Sequence, residues 1–293
     1  MKVTTRWRAL VGAGLVSVFG LSASAEDLAV ITDAETFVTN VTHDTELEGQ
    51  WIVKVVRGFG AYRGTLKFSG PGVRNFRSFR ISGEKDTSVG RVEIADGADV
   101  RVAAKPAGET ASASLLIGTH DNSIGYLKVA NAKLSADGSV IFGNCTKSRA
   151  VLEVGEGAEV SLTQYNLGNA TGCYGGAIYL LGGRFMTTGV DYIGLNSTGY
   201  VEVDGGDYRS TSGDIRLGSN SNSVGVVAIK SGTFTQAANA ITYLGLDHAY
   251  GRIYMTGGEF VIASNNIQMC HSHATRANSE AVITLAGPEA KMT

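Results

Sequence analysis

Tyrosine and arginine recur in this sequence at positions that would share one exposed row, an arrangement that suits ligand binding. The residues of this row are Arg91, Tyr126, Tyr179, Tyr200, Arg252 and Tyr254. Flat aromatic side chains present large amphipathic surfaces, which suit sugar rings or a protein partner. The alternative is that they are β-favouring residues on a solvated strand, which requires no ligand. The row predicts a binding face for a carbohydrate or a cell-surface protein.

Histidine and aspartate come together near the end of the sequence. His248 and His273 occupy equivalent places in successive repeat units, and Asp247 and His271 lie beside them. Imidazole nitrogens and carboxylates are ligands for divalent transition metals. Histidines in polar loops usually bind nothing, so these four residues are weak candidates. We predict neither a metal nor another cofactor.

The positions of these residues are set by a repeat that runs through most of the sequence. Its units begin with a strand in which the residues two and four positions after the start are apolar, eighteen positions in all. Strict alternation of this kind indicates a strand with one buried face. The unit starts are Gly64, Gly90, Gly125, Ala150, Gly176, Gly199, Gly225, Gly251 and Ala281. The outward residues Lys67, Glu93, Lys128 and Glu153 would then form a ladder of alternating charge.

Each unit continues with a glycine-containing turn and two more short strands. The second strand would point Phe185, Tyr208, Phe234 and Phe260 inward as an aromatic column. The third strand ends in Ile-, Leu- or Phe-Gly, at Gly118, Gly143, Gly168, Gly194, Gly218 and Gly245. Three strands and three corners in a coil of about 25 residues predict a parallel β-helix, an all-β solenoid.

The chain divides into three parts. Residues 1–25 are typical of a secretory signal peptide, with a basic start, a short apolar run and an Ala-Ser-Ala cleavage site. Residues 26–63 fit the repeat poorly and are interpreted as an N-terminal β cap. Residues 64–293 form about nine coils, the last incomplete, with an insertion at 105–114. The incomplete coil would allow copies to associate end to end.

The composition excludes several functions. The net charge is −2 and no basic run occurs, so nucleic-acid binding is not expected. No transmembrane segment follows the signal peptide. The three cysteines have no zinc-ligand spacing, and whether Cys145 and Cys173 form a disulfide is left open by the sequence.

The G-x-[VIL]-x-[VIL]-x-G-G-x-F pattern of residues 64–293 resembles the autotransporter-associated β-strand repeat of bacterial passenger domains. More broadly it is similar to the right-handed parallel β-helix of pectin-lyase-like proteins. The resemblance implies a right-handed solenoid that is exported and structural. The sequence lacks the Asn-Thr-Asp, Asp-Asp, Gly-His-Gly and Arg-Ile-Lys motifs of the pectinolytic branch.

The sequence therefore predicts a secreted bacterial structural or adhesin-like protein without catalysis of its own, extracellular, on the cell surface or in the periplasm. One alternative is a polysaccharide lyase or glycoside hydrolase of the same fold, with a degenerate site on the Tyr/Arg face or beside the 105–114 loop. Another is a truncated fragment of a larger autotransporter passenger.

Overall fold

The structure is a computed structural model that describes residues 65–76, 78–82, 88–102, 114–263, 266–271 and 278–293 with their side chains. At residues 7–11, 14–18, 27–30, 36–41, 52–55 and 63–64 it describes the backbone strands alone. The insertion at 105–114, apart from Ser114, and His273 lie outside these ranges. In the described ranges every regular element is a β-strand, and none is a helix able to cross a membrane.

The strand that opens each unit belongs to one parallel sheet, the first face of the solenoid. Within the described residues its strands are β4 (Thr36–Val41), β6 (Arg63–Phe68), β9 (Val89–Ala95), β12 (Ile124–Ala130), β14 (Arg149–Val154), β16 (Gly175–Leu180), β19 (Thr198–Val203), β22 (Val224–Ile229), β25 (Tyr250–Met255) and β28 (Glu280–Leu285).

The other strands form a second and a third face. The second face holds β7 (Gly72–Phe76), β10 (Ala98–Val102), the first halves of β13 (Lys133–Phe142) and β15 (Glu159–Leu167), β17 (Arg184–Thr187), β20 (Asp207–Ser210), β23 (Thr233–Gln236), β26 (Glu259–Ile262) and β29 (Lys291–Met292). The third face holds β3 (Asp27–Val30), β5 (Ile52–Val55), β8 (Ser78–Ile81), β11 (Leu115–Ile117), the second halves of β13 and β15, β18 (Asp191–Ile193), β21 (Ile215–Leu217), β24 (Thr242–Leu244) and β27 (Ile267–Met269). Because β13 and β15 turn the corner unbroken, the two faces are hydrogen-bonded as one sheet.

The register confirms the parallel β-helix, with about eight turns of roughly 26 residues. Unit starts pair directly, as Gly64 with Gly90 and Gly176 with Gly199. Sixteen of the eighteen alternating apolar residues are buried, at 2% exposure or less. The other two, Ile283 and Leu285, belong to β28, which pairs only with β25 among the described strands. Buried residues from Leu66 to Phe260 belong to one hydrophobic cluster, so the core is continuous along the axis. Each buried Val, Leu or Ile stabilises the fold by about 1.5–3 kcal/mol.

The corner that ends each coil requires a left-handed residue. The six coil-end glycines have φ between +66° and +82°. Each donates its amide to a third-face carbonyl of the preceding coil, as Gly218 does to Ile193 at 2.9 Å. A Cβ on Gly218 would lie 2.4 Å from the carbonyl oxygen of Tyr250, so the site excludes side chains. Cys270 occupies the same position at φ +53° and donates to Leu244 in the same way.

The predicted aromatic column is confirmed inside the second face. Phe185 and Tyr208 have ring centroids 5.2 Å apart, Tyr208 and Phe234 4.1 Å, and Phe234 and Phe260 5.3 Å. All four rings are at 1% exposure or less. The column joins four consecutive coils through one row of ring contacts.

The strands β3, β4 and β5 join the same sheets as the solenoid. In the region interpreted as a cap, β4 pairs in parallel with β6, and β5 pairs in parallel with β3 and β8. Earlier in the chain, β1 (Trp7–Val11) and β2 (Gly14–Val18) pair antiparallel within the predicted signal peptide. The signal peptide and the boundary of the cap stay predictions.

Candidate functional site

The predicted Tyr/Arg residues all lie on the first face, at positions that point away from the core. Arg91 and Tyr126 are strand neighbours, and the guanidinium carbon lies 4.6 Å from the centre of the ring. The Tyr126 hydroxyl donates to Glu153, which also accepts from Lys128 Nζ at 2.6 Å. Burial, together with the hydrogen bond to Glu153, raises the pKa of Tyr126 above its usual value. This first group is held together by its own contacts.

A second group lies two coils further along the first face. The rings of Tyr179 and Tyr200 are 5.8 Å apart, and the Tyr200 hydroxyl donates to Glu202 at 2.6 Å. Lys230 Nζ lies 2.6 Å from the other oxygen of Glu202. As in the first group, a tyrosine and a lysine are bound to one carboxylate of the same sheet.

The six predicted residues do not form a continuous stripe. Arg252 pairs with Glu280 at 2.8 Å, and Tyr254 is 47% exposed at the far end of the face. Small or branched apolar residues separate the groups along the row, namely Val151, Ala177 and Val226. The alternating ladder of Lys67, Glu93, Lys128 and Glu153 is confirmed, since these residues are direct partners on successive strands of the first face.

The three described metal candidates, Asp247, His248 and His271, do not form a cluster of metal ligands. Asp247 and His248 sit together in a corner with φ of +40° and +70°. His271 packs against Tyr243, with ring centroids 5.8 Å apart. Throughout the described ranges, no three His, Cys, Asp or Glu side chains come together as metal ligands would. Cys145 and Cys173 are not joined by a disulfide.

A continuous polar and aromatic row lies instead on the third face, and we call it the third-face row. Its members are the outward residues of successive strands: Asn166, Tyr192, Arg216, Tyr243 and Gln268. All five are half-buried. Unlike the first-face groups, these residues occupy five consecutive coils without an apolar interruption.

Arg216 is the centre of the third-face row. Its guanidinium carbon lies 5.3 Å from the ring centre of Tyr192 and 5.5 Å from that of Tyr243, one ring on each neighbouring coil. Its Nη2 lies 3.4 Å from Asp214 Oδ2. The other oxygen of Asp214 accepts the amide of Ile241 at 3.0 Å. Rings and carboxylate together hold the guanidinium in one orientation, with its side chain 32% exposed.

Unsatisfied polar atoms remain within the row. Arg216 Nε and Asn166 Oδ1 are buried and make no hydrogen bond to any described residue. The amide nitrogen of Asn166 donates to Asn169 at 3.2 Å, which fixes the side chain. A donor and an acceptor thus lie on the same row without partners, two coils apart.

Sequence reasoning missed this row because the third strands are short. Three residues such as Tyr192 and its two neighbours are too few to show an alternating pattern. The usable signal was the distance from the corner, since Tyr192, Arg216 and Tyr243 each stand two residues before a coil-end glycine.

A groove of about 420 Å³ follows the corner between the first and second faces. Glycines line it because the corners stack closely, and a Cβ on Gly232 would lie 2.2 Å from the carbonyl oxygen of Gly206. On its rim are Glu159, Arg184 and Asp207. Arg184 lies 3.8 Å from Asp207, and Glu159 lies 2.8 Å from Lys133. The stacking of the corners accounts for the groove, and its charges are paired.

No family model, curated protein or solved structure matches this chain. The parallel solenoid rests on the strand register described above.

Proposed function

We propose that this protein is a secreted, non-catalytic scaffold that binds a neutral polysaccharide chain along the third-face row. The observation that carries the proposal is the arrangement of Tyr192, Arg216 and Tyr243 on three consecutive coils. The predicted signal peptide and the resemblance to autotransporter passenger repeats support an exported protein at or outside the cell surface.

The spacing of the row suits an extended polymer. Neighbouring coils are about 4.8 Å apart, so a chain lying parallel to the axis meets a new side chain at each coil. Contacts repeated along one chain add up, and several weak contacts give useful affinity. A compact ligand would reach only one or two members of the row.

The chemistry of the row suits sugar hydroxyls. Tyr192 and Tyr243 offer amphipathic rings with polar tips. The guanidinium of Arg216, whose side chain is 32% exposed, offers N–H donors. Because Arg216 is already fixed between two rings, binding would cost little side-chain entropy there.

The charge balance favours a neutral polymer over an acidic one. Asp214 lies 3.4 Å from Arg216 and offsets its positive charge. An incoming carboxylate or sulfate would have to displace or approach Asp214, at an electrostatic cost. We therefore expect neutral chains to bind better than uronic-acid polymers.

The test measures binding of cellohexaose, xylohexaose and chitohexaose, with oligogalacturonate as the acidic comparison. Arg216→Ala and Tyr243→Ala should each lower the affinity for the best neutral probe by about tenfold or more. Tyr254→Ala, which removes an exposed ring of the first face, should leave it unchanged. Equal loss in the Tyr254 variant, or no binding by any probe, would reject the third-face row.

The same probes separate the alternatives. Release of reducing ends or of unsaturated products would show a hydrolase or a lyase, and would replace the non-catalytic proposal. Sedimentation of the purified chain as large assemblies would favour the fragment of a longer passenger, whose end coil associates with another copy. Binding without turnover by a monodisperse protein is the result we expect.

A further inference from the structure

A carboxylic acid is enclosed in the core directly behind the third-face row. Asp191 of β18 is at 0% exposure. Its Oδ2 accepts hydrogen bonds from Thr187 Oγ1 and from the Tyr208 hydroxyl, both at 2.6 Å. Its Oδ1 is buried and has no partner in the described part of the chain. The Tyr208 and Tyr165 hydroxyls lie 2.8 Å apart, so the cluster extends over three coils.

Uncharged groups surround this carboxyl. In the coil of Asp191 and in the next coil, the inward residues of the first face are apolar, including Ile178, Val201 and Val203. On the neighbouring strands of the second and third faces, the titratable groups that face it are the phenols of Tyr165 and Tyr208. Among the described residues no Lys, Arg or His forms an ion pair with Asp191, as its hydrogen bonds come from hydroxyls alone.

The strand that carries Asp191 inward carries Tyr192 outward. In the parallel pairing of β18 with β21, Asp191 lies beside Ile215, and Tyr192 lies beside Arg216. The Asp191 amide also donates to the carbonyl of Asp214 at 2.8 Å. Asp214 is the residue that orients the Arg216 guanidinium. The buried carboxyl is therefore linked through two short strands to the centre of the row.

We propose that proton binding by Asp191 controls how tightly β18 and β21 pack, and with it the geometry of the third-face row. The neutral acid is compatible with the apolar interior. The ionised carboxylate has two hydroxyl donors and a bare oxygen, and an isolated buried charge of that kind is costly. The link to ligand affinity rests on the proposed function, whereas the effect on strand packing does not.

The charge changes close to neutral pH. Burial raises the pKa of Asp191 to about 7, against the opposing effect of the hydrogen bonds from Thr187 and Tyr208. Acidic solution would keep the cluster neutral and the row ordered. Alkaline solution would ionise Asp191 and loosen β18 and β21.

The experiment follows amide hydrogen exchange of the whole free protein at pH 5.5 and 8.5, corrected for intrinsic exchange rates. We expect the amides of residues 191–193 and 215–217 to lose protection by about tenfold or more at pH 8.5. Asp191→Asn should remove that difference, while Asp207→Asn, on the exposed side of the next coil, should keep it. Equal corrected protection at both pH values in the unmodified protein would overturn the proposal.

A second variant guards against misfolding of Asp191→Asn. Tyr208→Phe keeps the stacked ring and removes one donor to the carboxylate. The ionised form then loses a hydrogen bond, so the midpoint of the protection change should move to higher pH. A midpoint that stays in place or moves to lower pH would contradict the role of Asp191.

The effect of Asp191 on ligand binding is tested in a separate experiment. If a neutral oligosaccharide binds to the row, its affinity should be about fivefold weaker at pH 8.5 than at 5.5, and equal at both in Asp191→Asn. Exchange that depends on pH without any binding would reject the proposed function and keep the inference. Binding that depends on Arg216, without pH-dependent exchange, would keep the proposed function and reject the inference about Asp191.

Discussion

Tyr208 stacks face to face on Phe234, with ring centroids 4.1 Å apart and planes inclined by 6°. The two residues are direct partners in the parallel pairing of β20 with β23. Their contact shows how a solenoid core works, since each side chain is buried mainly by its equivalents one coil above and below. The same residue Tyr208 carries the hydroxyl that binds Asp191, so the packing column and the polar cluster meet at one side chain.

Phe234→Ala should be strongly destabilising. The ring is at 1% exposure and contacts aromatic rings on both neighbouring coils, so its removal leaves a cavity that the sheets cannot close. Loss of a buried Phe of this kind costs about 3–5 kcal/mol. Urea unfolding measures it, and Tyr254→Ala on the outer surface serves as a control that should change stability by less than about 0.5 kcal/mol. Similar costs for both variants would contradict the assigned core.

The corner geometry predicts opposite effects for two substitutions at equivalent positions. Gly218→Ala should destabilise the fold, since φ is +68° and a Cβ would clash with Tyr250. Cys270→Gly should raise the melting temperature slightly, because Cys270 holds φ +53°. A left-handed non-glycine residue costs about 1–2 kcal/mol, partly offset by the larger entropy of unfolded glycine, about 0.5–1 kcal/mol. A lower melting temperature for Cys270→Gly would show that the corner is not strained.

Asp191 predicts an unusual pH dependence of stability. Its pKa is about 7 in the folded protein against 3.8 as the ordinary value, so its contribution is full below pH 3.8. As the pH rises towards 7, the unfolded chain loses this proton first, and stability falls by up to about 4 kcal/mol. Urea unfolding across pH 4–8 should show this loss in the unmodified protein and not in Asp191→Asn. If Asp191 did not titrate in this window, the free energies of unfolding of the two proteins would differ by the same amount at every pH.

Arg216→Lys tests whether the row depends on a planar cation. Lysine keeps the charge, but its ammonium is a point donor and does not stack between two rings as the planar guanidinium does. We expect stability to fall by less than about 1 kcal/mol, because the site is partly exposed. Affinity for the best neutral oligosaccharide should fall by about tenfold. The matched control is Arg184→Lys on the second face, for which unchanged affinity is expected.

The charge ladder of the first face should contribute little to stability. Lys128 lies 2.6 Å from Glu153, with side-chain exposures of 38% and 20%. Lys128→Met should cost about 1 kcal/mol or less at low salt, and less again in 1 M salt. A loss above about 2 kcal/mol that persists in high salt would show that the ladder is a structural requirement.

The sequence by itself determined the coil, because its constraints are local. Alternating apolar residues two and four positions after each start fix which side of the first strand is buried. Corner glycines such as Gly218 indicate where each coil must turn, because left-handed backbone angles strongly favour glycine. The parallel stacking, the buried aromatic column and the alternating charges could therefore be predicted from the sequence alone.

Only the tertiary structure decided which outward side chains meet. The residues that stack on the third face are 24–27 positions apart in the sequence, and units of unequal length shift any count made from the unit starts. The three-residue strand Asp191–Ile193 has no periodicity of its own, so the sequence could not tell that Asp191 points inward and Tyr192 outward. The corner and the hydrogen-bond register set that direction. They placed an aspartate in the core, and Arg216 between two rings.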